Sequence, residues 1–129
     1  MKIGFTGTQK GMTLLQRKTF CRLISKCSEL HLGDCVGSDT EAYWLFNGLK
    51  VGHIPKNPLK RSFLKYDKER LPKPYLERNK EIVNETEVLI ATPKEPKEVL
   101  RSGTWATIRY AKKRNKKVYV ISPDGRINV

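Results

Sequence analysis

Residues 30–54 read LHLGDCVGSDTEAYWLFNGLKVGHI. Leu30 to Leu32 is a short apolar run that stops at Gly33, and Lys50 to Ile54 is a second run of strand length. Between them, Ser38 followed three residues later by Glu41 has the form of a capping box, and Ala42, Leu45, Phe46 and Leu49 recur at helical spacing. Strand, glycine-bearing turn, helix and strand in that order predict two parallel strands, because the helix carries the chain back to the edge from which the first strand began.

The flanking sequence repeats the pattern. Ile3 to Thr6 stops at Gly7, and Val88 to Ala91 and Val118 to Ile121 complete a set of five apolar runs. Thr13 with Gln16 predicts a second capped helix whose stripe is Phe20, Leu23, Ile24 and Cys27. Tyr75 with Ile82 and Leu76 with Val83 predict a helix from Pro74 to about Thr86, and a fourth runs from Thr104 to Asn115 with Lys112, Lys113 and Arg114 at its negative end. This alternation implies one three-layer α/β domain over residues 1–129, with a central, mostly parallel sheet of about five strands and helices on both faces. The segment 55–73, with Pro55, Pro58 and Pro72, reads as either a functional loop or a surface connection, with room for a short strand or helical turn.

The chain has 129 residues, with 26 Lys+Arg against 13 Asp+Glu and a formal net charge of +13. The 38% hydrophobic content is enough for a core, and no apolar run is long enough to span a bilayer. The start, MKIGFTG, carries no signal-peptide pattern, so the expectation is a cytoplasmic protein without a membrane partner. Three cysteines, Cys21, Cys27 and Cys35, cannot all pair within the chain and read as reduced thiols. Cys27, His31 and Cys35 lack a fourth ligand; neither a metal nor a cofactor is expected.

In an open sheet of this class, ligands bind beyond the carboxyl ends of the strands. The residues leaving those ends are Gly7 and Thr8; Gly33, Asp34, Gly37, Ser38 and Asp39; Lys94; and Ser102, Gly103 and Thr104. Small and glycine-rich turns let backbone N–H groups approach an anion, and the helix starts near Ser38 and Thr104 add partial positive charge. Two common nucleotide motifs fail: Gly4, Gly7 and Gly11 are not spaced as G-x-G-x-x-G, and neither Gly7 nor Gly103 begins a P-loop.

The segments GFTGTQKGMT (4–13), HLGDCVGSDTEA (31–42), KPYLERNKEIV (73–83) and RSGTWATIRYAKK (101–113) resemble the small stand-alone members of the SLOG superfamily, over nearly the whole chain. That superfamily includes the Lonely Guy phosphoribohydrolases and the DNA-processing protein DprA. The resemblance implies a Rossmann-like sheet whose edge binds nucleotides or nucleotide-derived ligands, and self-association into dimers or larger assemblies. Gly103-Thr104 matches the G-T pair of the Lonely Guy P-G-G-x-G-T-x-x-E segment, but Thr107 stands where its Glu would be. Arg78 matches the Arg of the M-H-x-R-K helix start, whereas Leu76 and Asn79 depart from the His and Lys.

Three functions follow as expectations. The first is a protein that senses or sequesters a nucleotide-derived small molecule, as SLOG domains do in bacterial and phage defence signalling. The second is an N-glycosidic hydrolase or transferase of the phosphoribohydrolase kind, acting on nucleosides or nucleoside monophosphates, for which Asp34 and Asp39 are the candidate catalytic carboxylates. The third, resting on the +13 charge, is single-stranded nucleic-acid binding through the basic stretches 56–80 and 109–117.

Overall fold

The computed structural model describes residues 1–128. Along the chain run β1 (Lys2–Gly7), α1 (Leu14–Leu23), β2 (Glu29–Leu32), α2 (Ser38–Leu45), β3 (Leu49–Pro55), β4 (Lys68–Lys73), α3 (Tyr75–Glu85), β5 (Val88–Thr92), α4 (Gly103–Lys113), β6 (Lys117–Ile121) and β7 (Ile127–Asn128). They form a seven-stranded sheet in the order β4-β3-β2-β1-β5-β6-β7, parallel except for β7. The expected three-layer α/β class holds, with two strands more than the five apolar runs indicate. Both extra strands lie at edges, where apolar side chains are not required. β4, KERLPK, pairs with β3 inside the segment expected to be irregular, and two-residue β7 pairs with β6.

The capping box at Thr13 forms as spaced: Thr13 Oγ1 accepts from the Gln16 amide at 3.0 Å and Gln16 Oε1 accepts from the Thr13 amide at 2.9 Å. The box expected at Ser38 and Glu41 does not. Gly37, at φ 88°, occupies the cap position instead, and Ser38 Oγ donates to the Thr8 carbonyl at 2.7 Å. Glu41 reaches away from the helix to accept from the Met12 amide and to pair with Arg17. A cap needs a free side chain; here tertiary contacts with the loop after β1 have claimed both.

One face of the sheet packs Ile3, Phe5, Leu30, Leu32 and Ile90 against Phe20 of α1 and Ala42 of α2, with Phe5 and Phe20 edge to face at 5.2 Å. The other packs Leu89, Ala91, Val118 and Val120 against Val83 of α3 and Trp105, Ile108 and Ala111 of α4. All five residues of β5 are buried, as the central strand of a sheet covered on both sides should be. Under the C-terminal part of α3 the filling is polar: His31 and His53 are fully buried there. Burial holds both imidazoles below their usual pKa, His53 at about 4, against the opposing pull of Glu29 on His31 and Glu81 on His53.

Candidate functional site

The chain works outward from β1 to β4 on one side and then crosses to β5, so the order reverses between β1 and β5. Beyond the carboxyl ends of these strands lies a cavity of about 670 Å³, within the usual range for small-ligand sites. Gly7, Thr8, Gly33, Asp39, Arg78, Lys94, Ser102, Gly103 and Thr104, all singled out from the sequence, line it. Lys10, Lys60, Arg78 and Lys94 line it together with Asp39 and Glu95, four positive groups and two negative ones.

Gly7 is required where it stands, because a Cβ there would lie 2.4 Å from Thr92 Oγ1 and 2.5 Å from Ser38 Cβ. The loop after it is fixed by the Thr8 carbonyl, which accepts from the Gly11 amide, the Ser38 amide and Ser38 Oγ. Gly33 serves a different purpose. A Cβ on Gly33 would sit 2.6 Å from Arg78 Nη1, so its absence lets the guanidinium lie on the backbone and donate to the Gly33 carbonyl. Arg78 also donates from Nε to Asn79 Oδ1 at 2.7 Å and stacks over Tyr75. It is 6% exposed, yet no hydrogen bond from Nη2 is present among the described residues. A buried guanidinium held by two of its nitrogens in the wall of a cavity has the chemistry to donate to an anion there.

The start of α4 lines the same cavity. Ser102 Oγ accepts from the Trp105 amide at 3.2 Å, while the first-turn amides of Gly103 and Thr104 make no hydrogen bond within the described residues. A Cβ built on Gly103 meets nothing within 4 Å, so the helix end opens onto the cavity.

Asp39 is buried in the cavity wall, and its Oδ2 accepts from the amides of Gly33 at 3.1 Å and Cys35 at 3.3 Å. Burial pushes its pKa up to about 6, with Arg78 pulling the other way. A carboxyl that binds its proton more tightly in the folded protein than at its ordinary 3.8 makes the fold lose stability as pH rises from about 4 to about 6. Asp39→Asn, which cannot ionise, is therefore expected to remove roughly 1–3 kcal/mol of that pH dependence. Urea titrations of both proteins across this window check it, and parallel stability profiles would contradict it.

Four of the sequence candidates lie outside the cavity lining. Asp34 is the main correction. Its Oδ1 accepts from Ser62 Oγ at 3.0 Å, the Leu64 amide at 3.1 Å and Tyr66 OH at 2.8 Å, and its Oδ2 accepts from Arg61 Nε at 2.6 Å, in a side chain that is fully buried and outside the cavity lining. Its place is to tie the segment between β3 and β4 to the sheet. Gly37 is needed for its positive φ and because the Gln9 carbonyl oxygen would lie 2.2 Å from a Cβ. Ser38 is committed to Thr8, and Thr107 donates to the Gly103 carbonyl at 2.9 Å. Trp105 is 8% exposed, packs in the core and donates to Glu95 Oε1. Cys27, His31 and Cys35 do not converge as a ligand set among the described residues.

The sequence reading missed Gln9, Lys10, Asn57, Lys60, Tyr75 and Asn79 as lining residues. Lys60 and Asn57 arrive because Asp34 pins their segment and the Val36 amide donates to the Lys60 carbonyl at 2.9 Å. The signal available was the Asn57-Pro58 turn inside a long, basic connection. Cys35 also lines the cavity, with burial raising its pKa to about 11, which keeps it a thiol at neutral pH.

No protein-family model matches the chain, and no curated protein does. Among solved structures it is similar to the molybdenum cofactor binding protein from the phototrophic bacterium Rippkaea orientalis. The two share 24% identity and a TM-score of 0.67, over 94% of this chain and 76% of that one. That likeness establishes the fold. It is a Rossmann-like, three-layer domain, and no helix among the described residues is long and apolar enough to cross a membrane.

Proposed function

We propose that this protein binds a phosphate-bearing, nucleotide-derived small molecule in the cavity beyond β1 and β5 and acts as a sensor or sequestering protein. The observation that carries this reading is Arg78, buried, tethered by two of its nitrogens and lining one cavity with the open N-terminus of α4. Two sources of fixed positive charge in one cavity suit an anion. The ligand class includes the kind of small cofactor named for the structural neighbour, so that cofactor belongs in the test beside the nucleotides.

Native mass spectrometry of freshly purified protein, then a thermal-shift panel of mononucleotides, cyclic nucleotides, ADP-ribose derivatives and molybdenum cofactor, tests the reading. At least one phosphate-bearing compound is expected to raise Tm. Gly103→Trp, whose side chain would project into the open space at the helix start, is expected to abolish that shift while leaving the unliganded Tm within a few degrees. No shift across the panel, or an unchanged shift in the variant, contradicts the placement.

Asp39 favours a second reading, N-glycosidic hydrolysis, because a cavity carboxyl with a pKa near 6 is present in both protonation states near neutral pH. Incubation with nucleoside monophosphates would then release free base, and Asp39→Asn would stop it. The absence of base across all the common nucleotides would leave the binding role alone.

A further inference from the structure

At the opposite end of α3 from Arg78, both histidines of the chain meet beneath the helix. His31 Nε2 lies 2.9 Å from Glu29 Oε1, and His53 Nδ1 lies 2.7 Å from Glu81 Oε1. An ionised carboxylate only accepts, so each of these outer nitrogens carries its ring's proton. The inner nitrogens, His31 Nδ1 and His53 Nε2, are then left as lone pairs facing each other at 2.7 Å. Two lone pairs at that distance need a positive centre between them. A third donor is aimed at the same place: Glu85 Oε1 stands 3.9 Å from one nitrogen and 4.0 Å from the other.

We propose that His31 Nδ1, His53 Nε2 and Glu85 Oε1 form a site for one divalent d-block cation of the zinc type. Glu29 and Glu81 orient the two imidazoles from outside, as carboxylates do behind metal-bound histidines. A single proton would satisfy the two nitrogens; a cation would in addition draw in Glu85 Oε1, which now holds Arg70 Nη2 at 2.8 Å and Nε at 2.9 Å. Two nitrogens and one oxygen, with a fourth position open to water, suit zinc and its neighbours and disfavour magnesium or calcium, which take oxygen donors. Tetrahedral bonds of about 2.0–2.1 Å place donor atoms roughly 3.3 Å apart, so the rings part and Glu85 closes by about 0.6 Å each.

Glu85 can make that movement. It lies at the end of α3 with its side chain 32% exposed, while the histidines are 1% and 0% exposed, so ions enter from its side. Arg70 holds Glu85 from β4 mainly through Oε1, with Nη2 at 2.8 Å and Nε at 2.9 Å, and Nε also lies 3.2 Å from Oε2; the guanidinium passes to Oε2 when Oε1 turns to the cation. Around two neutral rings, Glu29, Glu81 and Glu85 outnumber Arg70 and Lys73. A bound cation would join β2, β3 and α3 at one point.

The test uses the full chain, stripped with a chelator and titrated with Zn2+ by calorimetry and with Co2+ by visible absorption. One ion per chain is expected, with Co2+ bands of a four-coordinate site and a rise in Tm that saturates at one equivalent. Glu81→Gln should weaken binding by about 10- to 100-fold, and Glu85→Gln by at least about tenfold. Cys21→Ser, Cys27→Ser and Cys35→Ser should leave it unchanged. Because His53→Ala could fail to fold, the decision rests on Glu85→Gln, whose Tm in chelator is compared first with that of the parent chain. Binding that does not saturate at one equivalent, that survives Glu85→Gln, or that disappears in a cysteine variant overturns the proposal. So does an NMR signal for a proton shared between the two imidazoles that persists with stoichiometric Zn2+ present.

Discussion

Replacing Arg78 with Ala is expected to weaken binding of a phosphate-bearing ligand by roughly 2–4 kcal/mol, about 30- to 1,000-fold. The size follows from burial. Arg78 is 6% exposed, so its charge is poorly screened by water and its hydrogen bonds to an anion are charge-assisted. The guanidinium also arrives already ordered by Gly33, Asn79 and Tyr75, so little entropy is lost when a ligand meets it. Arg78→Lys separates charge from shape: it keeps the first but loses the planar fork, and its affinity should fall between the other two. The measurement is direct titration with whichever compound gives the largest thermal shift, at a temperature where each variant is folded. An affinity that is the same in all three proteins would move the anion away from α3.

Asp34→Ala is expected to lower stability by roughly 3–5 kcal/mol, because it leaves the partly buried Arg61 and Tyr66 without the acceptor that both share. Four donors from four residues between β3 and β4 converge on this one carboxylate. Removing it should free that whole segment, not a single contact. Urea denaturation measures the loss, and limited proteolysis between Lys56 and Lys68 should accelerate in the variant while cleavage elsewhere stays slow. A change under about 1 kcal/mol with unaltered proteolysis would show that the other contacts of the segment suffice to hold it.

The elements legible in the sequence were those whose signal is local. Apolar runs at Ile3, Leu30, Val88 and Val118 became strands because a buried parallel sheet selects continuous apolar stretches. β4 and β7 were not legible as strands. An edge strand buries little, so KERLPK carries charges where an interior strand would carry valines. The same distinction separates the two capping patterns. Thr13 and Gln16 need only each other, whereas Ser38 and Glu41 are recruited by Thr8, Met12 and Arg17, residues distant in sequence.

For the cavity, the sequence by itself determined that glycine and small polar residues leave the ends of parallel strands, and hence which edge would be open. Covalent order and hydrophobic period suffice for that. Tertiary structure alone decided which of two acidic residues five positions apart, Asp34 and Asp39, faces the cavity, and it turned Asp34 toward Arg61 and Tyr66. It also set His31 against His53 across 22 residues of chain. Side-chain direction at the end of a strand depends on which donors the rest of the fold delivers there, and no local spacing encodes that delivery.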